Sequence, residues 1–363
     1  MPALAASSAA WSSHAFADDA ASSLPPPPLT FSLASPAVGA GGGPWKLRVE
    51  NTGDVPVRIA ADARLLVLEV TPPAGFVDPT KKPSKKPEQV KPARCVLPDD
   101  ARPSTDEGRD LVIPAKRSWS TTVDPLMYCF GARERAMLVA GATVKAELGW
   151  PALPPKPGAK PPKKPVVPSA PFVAAPVGAA VGKVAPAKAL QAAPITLAES
   201  AVPPLSASAA SPSGTMAVTM ADTLDMARGS EIPVTVTVTN GGEKAEVVLF
   251  RPETLRFAVS GPSGSVPCDT GRRVDSPIRE LYSTLGVKAR ASITVLLNAM
   301  CPADTFDKAG IYRVTPVFDT TSASGRPIGL KTWDGAVSGP GPMLLRVRSQ
   351  RRPSTPTARP ALD

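Results

Sequence analysis

Val234-Thr235-Val236-Thr237-Val238-Thr239-Asn240-Gly241-Gly242 is the stretch on which the fold turns. Apolar and polar residues alternate through six positions, so three valines share one face and three threonines the other. That is the period of a half-buried strand, and Asn-Gly-Gly supplies residues that tolerate a reversal of the chain. Two apolar runs follow, Val247 to Phe250 and Leu255 to Val259, then a Gly261-Pro262-Ser263-Gly264 turn and Cys268. Ile293, Val295 and Leu297 alternate toward Cys301, and Gly310-Ile311-Tyr312-Arg313-Val314 begins another strand.

The same order occurs once earlier. Leu47-Arg48-Val49-Glu50-Asn51 lines up with Val236 to Asn240, and Thr52-Gly53 stands as its turn. Val55 to Ile59 and Leu65 to Val70 take the next two strands, and Pro72-Pro73-Ala74-Gly75 takes the next turn. Trp119 to Val123 precedes Cys129 as Ile293 to Leu297 precedes Cys301, and Gly141 to Trp150 matches Gly310 to Phe318. Cys95 and Cys129 are 34 residues apart, Cys268 and Cys301 33 apart. A shared order of strand, turn and cysteine reads as a duplicated domain.

The chain has 363 residues, room for two ordinary domains, and it carries 46 prolines and 27 glycines. So many prolines leave few windows for long helices, since each removes a donor and clashes with the preceding turn. Short alternating runs between turns predict an all-β chain of two tandem antiparallel sandwiches. The expected organisation is a disordered leader over 1–28, a first sandwich over 29–177, and an Ala/Pro/Ser linker over 178–214. A second sandwich over 215–348 and a basic tail over 349–363 complete it. Lys/Pro-rich loops at 81–94 and 151–165 interrupt the first sandwich. Pro168 to Val173 is read as a return strand to that sandwich. No apolar run reaches the roughly 18 residues a membrane helix needs.

The net charge is +10. Lys81, Lys82, Lys85, Lys86 and Lys91 in one loop, Lys156, Lys160, Lys163 and Lys164 in another, and Arg346, Arg348, Arg351, Arg352 and Arg359 near the C-terminus exceed it. The basicity is thereby assigned to loops and tail, leaving the folded parts close to neutral. The loop lysines 81, 82, 85, 86, 156, 160, 163 and 164 are the candidate contacts for a protein or an anionic envelope polymer. They lack interleaved aromatics, so a specific nucleic-acid partner is not expected.

Ala15-Phe16-Ala17 before Asp18-Asp19 has the small-x-small form of a signal-peptidase site, although Met1 to Ala17 contains no Lys or Arg. A chain beginning inside its export signal and an Ala/Ser-rich leader both fit. The four cysteines, two per copy, read as the disulfides Cys95–Cys129 and Cys268–Cys301. Four cysteines allow three connectivities, and buried free thiols are the other reading. A zinc site lacks its usual Cys-x-x-Cys pairs. Each bridge would stabilise its domain by roughly 3–4 kcal/mol and would place the protein in an oxidising compartment, periplasmic or secreted.

Catalytic signals are sparse. The one histidine, His14, lies in the leader, so the folded region has none for a triad or a histidine-dependent metal site. Asp99-Asp100, Asp106-Glu107 and Asp222 with Asp225 sit in turn-like sequence and read as solvated carboxylates. Asp222, Asp225 and Glu231 offer a weak calcium signal. Gly39 to Pro44 leads into a strand, not a helix, and reads as a turn instead of a phosphate loop. Trp119, Trp150, Tyr312 and Phe318 are assigned to the cores. No enzymatic activity, cofactor or metal is expected.

The second copy resembles bacterial immunoglobulin-like and fibronectin-III-like modules. Val236 to Asn240, the Gly261 to Gly264 turn and Gly310 to Val314 carry the resemblance, and Asp307 to Tyr312 looks like a tyrosine corner. Val238-Thr239-Asn240, Leu249-Phe250 and Ser292 to Val295 also resemble the Ig-like fold of BsuPI-type intracellular proteinase inhibitors. These resemblances imply an Ig-like sandwich; fold alone licenses no activity. The leading expectation is a non-enzymatic exported binding or structural protein. The alternative is a proteinase inhibitor presenting the basic loop Lys81 to Arg94.

Overall fold

The computed structural model describes residues 24–36, 44–81, 90–103, 110–150, 172–201, 216–271 and 278–349. The first half carries β1 (Leu29–Ala34), β2 (Trp45–Asn51), β3 (Val57–Ala60), β4 (Leu66–Thr71), β5 (Ala93–Cys95), β6 (Asp110–Ile113) and β7 (Ser118–Val123). It continues with helix α1 (Ala132–Ala136), β8 (Thr143–Gly149), β9 (Ala174–Pro176), β10 (Ala189–Gln191) and β11 (Ile195–Thr196). The second half carries β12 (Met216–Thr219), β13 (Thr223–Ala227), β14 (Pro233–Asn240), β15 (Glu246–Leu249), β16 (Leu255–Gly261), β17 (Gly264–Cys268) and β18 (Tyr282–Leu285). It ends with β19 (Arg290–Leu296), helix α2 (Leu297–Met300), β20 (Gly310–Asp319), β21 (Ala336–Ser338) and β22 (Met343–Arg348). The fold is all-β.

Each half stacks sheets over its own core. In the first, β1-β2-β7 and β6-β3-β9 face β10-β8-β4-β5; in the second, β12-β14-β19 and β15-β18 face β13-β22-β20-β16-β17. The named ladders are antiparallel except β13 on β22, where Asp225 stands opposite Arg346. The Val-Thr repeat behaves as its period demands: Val234, Val236 and Val238 are buried against Phe257, Val259, Tyr312 and Leu345. Removing a valine side chain from water contributes about 1.5 kcal/mol or more. On the outer face, Thr235 bonds Thr294 and Thr237 bonds Ser292, both at 2.8 Å, as cross-strand hydroxyl pairs.

Both halves end this strand in the same way. Asn51 Nδ2 donates to the Val55 carbonyl at 2.8 Å and the Ile113 carbonyl at 3.1 Å, while its Oδ1 accepts from Gly53 N. Asn240 Nδ2 donates to Lys244 and Leu285 carbonyls at 2.8 and 2.9 Å, and its Oδ1 accepts from Gly242 N. The turn that faces each asparagine holds a left-handed lysine, Lys116 at φ 59° and Lys288 at φ 58°. Tyr312 donates its hydroxyl to the Lys308 carbonyl at 2.7 Å, forming a tyrosine corner. A side chain at Gly261 would run into that ring, with its Cβ 2.2 Å from Tyr312 Cδ1.

Two expectations need correcting. Residues 178–201 are not linker: β10 and β11 pair with β8, and Leu190, Leu197 and Ala201 join the first core. Strands of two or three residues set among Ala and Pro are too short to show an alternation and read as spacer. Of the expected return strand, Pro168 to Pro171 lie outside the described residues; directly after Val173 the chain runs along β3 of the first half as β9, and Ala189 to Thr196 then adds β10 and β11 along β8. Trp119 and Trp150 are only partly buried at the margin of the first core, and the fully buried tryptophan is Trp45.

Candidate functional site

Two disulfides, Cys95–Cys129 and Cys268–Cys301, tie each half together, and no free cysteine occurs among the described residues. The first bridge anchors the segment on which the two halves meet. Asp124 ends β7 and caps a 3₁₀ turn over Pro125–Met127, its Oδ1 accepting from Leu126 N at 2.9 Å. That turn delivers Tyr128, whose hydroxyl donates to the Ala63 carbonyl at 2.6 Å, then Cys129 and Phe130.

The second half reaches this segment with β20 and β22. Arg346 Nη1 donates to the Met127 carbonyl at 2.9 Å, and its guanidinium lies 4.3 Å above the Phe130 ring. Its Nε donates to Asp225 Oδ1 at 3.0 Å and its Nη2 pairs with Asp225 Oδ2. Arg348 shares Asp225 at 2.8 Å and pairs with Asp100 of the first half. Ile311 and Leu344 bury themselves in the first core beside these contacts. The interface thus joins an apolar seam to an arginine whose three nitrogens each donate a hydrogen bond, the arrangement in which a buried charge is tolerable.

Arg346 and Arg348 are therefore not tail charges, as their position near the C-terminus suggests. The parallel β13–β22 ladder sets Asp225 opposite Arg346, which pairs with this carboxylate of the suggested calcium cluster. No group of three or more His, Cys, Asp or Glu side chains suited to a metal exists among the described residues. Asp100 is largely exposed, as expected, and pairs with Arg348.

Beside the latch lies a cleft of about 850 Å³ with walls from both halves. Arg64, Asp124 and Tyr128 face Gly261, Pro262 and Arg313 across it. Burial raises the Asp124 carboxyl above its ordinary value, while the Leu126 N–H and the Arg313 charge draw it back. Burial also raises the Tyr128 phenol, and the charges of Asp62 and Asp124 add to that effect. Arg64 is held by Asp62 at 2.7 Å. Arg313 Nε is buried with no hydrogen-bond acceptor. The lining carries hydroxyls, charges and apolar groups but neither histidine nor thiol. It is equipped to hydrogen-bond a ligand.

Of the candidate lysines, Lys81 alone is described: it is exposed, and its backbone N–H donates to the Asp78 carbonyl at 3.2 Å. Lys82, Lys85, Lys86, Lys156, Lys160, Lys163 and Lys164 lie outside the described residues, as do His14, Asp106 and Glu107. The arginine latch and the Asp124–Arg313 cleft were missed in the sequence. Their signal was present on the back of β20 and β22, where Ile311 and Leu344 point away from Tyr312 and Leu345. Apolar residues on both faces of a strand mean that both faces are covered.

No family model and no curated protein matches the chain. Among solved structures, a red sea bream transglutaminase aligns at 11% identity and a TM-score of 0.18, covering 90% of this chain and 32% of that one. The chain thus spans about a third of the length of that enzyme, and the likeness carries no argument. No helix among the described residues is long and apolar enough to cross a membrane.

Proposed function

We propose that this chain is a non-enzymatic binding or structural protein of an extracytoplasmic compartment, built from two duplicated immunoglobulin-like domains. The observation that carries the reading is a cleft shared by two disulfide-closed units that an arginine latch holds together. The matched asparagine plugs support the duplication. The tyrosine corner and the strand parallel to β22 support the Ig-like assignment. Disulfides persist in oxidising compartments, which supports export. The test is thiol trapping in intact cells that make the protein. Two bridges and no alkylated thiol support the reading; four alkylated thiols overturn its compartment.

One observation favours the inhibitor alternative. Arg133 joins the two ends of the basic loop, pairing through Nε with Asp78 at 3.2 Å and donating from Nη2 to the Lys91 carbonyl at 2.7 Å. Cys95, four residues beyond Lys91, fixes the same end covalently. A loop held at both ends resists being pulled apart after cleavage. Titration of a trypsin-like protease separates the readings: an inhibitor saturates at one equivalent, and a substrate is simply cut.

A further inference from the structure

We infer that the cleft between the halves binds an extended, uncharged stretch of polypeptide, whose backbone amides bridge Asp124 of one half and Arg313 of the other. This deepens the binding-protein reading above and rests on it.

A guanidinium only donates hydrogen bonds, and an ionised carboxylate only accepts them. Arg313 of the second half and Asp124 of the first both line the cleft, and the Arg313 charge acts on the Asp124 carboxyl. A group spanning both must accept on one side and donate on the other. The secondary amide of a peptide does both.

A charged ligand fits less well. A carboxylate drawn to Arg313 meets the charge of Asp124, and an ammonium drawn to Asp124 meets Arg313. Arg64 does not tip this balance, because Asp62 compensates it at 2.7 Å. The cleft is electrically near neutral, while Leu97, Met127, Ile311 and Pro262 supply apolar wall for side chains. A volume of about 850 Å³ falls within the range of sites that enclose a compact ligand. Because one hydrogen-bonding wall comes from each half, occupancy also draws the halves together.

The full oxidised chain is immobilised and exposed to a random heptapeptide pool of uncharged residues, acetylated and amidated at its ends. Retained peptides are counted by mass spectrometry, beside a matching pool with free C-terminal carboxylates. Wild type is expected to retain the blocked pool. Asp124→Asn keeps the oxygen that caps Leu126 but turns an amide donor toward the ligand. Arg313→Met removes the opposing donor. Each should cut retention about tenfold or more, the worth of a hydrogen bond to a charged group. Ser265→Trp, on the exposed β16–β17 hairpin, blocks the cleft without touching either core and should abolish retention. Thr294→Val, on the outer face of β19, should retain the pool.

Three results overturn the inference: no retention by wild type, equal retention by Ser265→Trp, or retention confined to the free-carboxylate pool. Two disulfides in cells with no retention leave the broader reading standing and sink this one. Four reduced thiols with retention intact do the reverse.

Discussion

Asn51 and Asn240 plug the ends of β2 and β14 with the same hydrogen bonds. Each side-chain amide donates to the carbonyl four residues ahead and to a carbonyl at the end of the facing strand, Ile113 or Leu285. Both are fully buried. A short polar side chain thus satisfies main-chain groups that the sheet cannot reach where the ladder is interrupted, which is why an asparagine and not a valine ends each apolar run.

Removing either plug leaves buried carbonyls without a donor. Asn51→Ala and Asn240→Ala should each cost about 2 kcal/mol of stability, read from the urea midpoint. Asp at either position should cost more, since it sets a carboxylate against carbonyl oxygens. A loss under about 0.5 kcal/mol in both variants would show that water replaces the plug at no expense.

Cys95, Cys129 and Cys268 are buried, so reductant without denaturant should leave the bridges intact over short exposures. Paired Cys→Ala substitution should lower stability by about 3–4 kcal/mol per bridge, given loop separations of 34 and 33 residues. Equal losses in the two halves follow from equal loop lengths. A much larger loss for Cys95–Cys129 would assign part of its effect to the inter-half segment that Cys129 anchors.

The strands, the turn after Asn240 and both cysteine pairings were legible because period, turn residues and spacing are local signals. What stayed hidden was tertiary. Ala189 to Thr196 pairs with β8 in two pieces of three and two residues, split around Pro194 and too short to show a period, and Gly149 on β8 lets Ala189 approach closely. Arg346 looked like a solvated tail charge because nothing nearby in sequence says that Asp225, Met127 and Phe130 converge on it. Partners separated by over a hundred residues leave only an indirect trace, here the apolar outward faces of Ile311 and Leu344.

Two arginines on one strand should behave differently when truncated. Arg346→Met strips the buried end of β22 of its charge and leaves the Met127 carbonyl unpaired, for a loss of about 3 kcal/mol. The halves should then separate, seen as a larger radius of gyration in solution scattering and as two unfolding steps. Arg348→Met breaks its pairings with the largely exposed Asp100 and with Asp225, which keeps Arg346 as a partner, and should cost about 1 kcal/mol. Losses under about 0.5 kcal/mol from both variants would mean that the apolar seam alone holds the halves.

The carboxyl of Asp124 makes stability fall as pH rises. Burial lifts it above the ordinary value of 3.8, so the folded chain holds this proton at pH values where the unfolded chain has released it. Through that window the folded state binds more protons, and stability attributable to Asp124 declines with rising pH until the folded carboxyl also ionises. Asp124→Asn cannot ionise. Its stability relative to wild type should be lowest near pH 3, rise as the pH passes 3.8, and level off toward neutrality. Urea titrations across this range measure the difference and cancel the acids common to both proteins. Arg313 works against the shift, so the gain from Asp124→Asn should be larger when Arg313→Met is already present. An unchanged gain in the double variant would mean that the two groups do not share the cleft electrostatically.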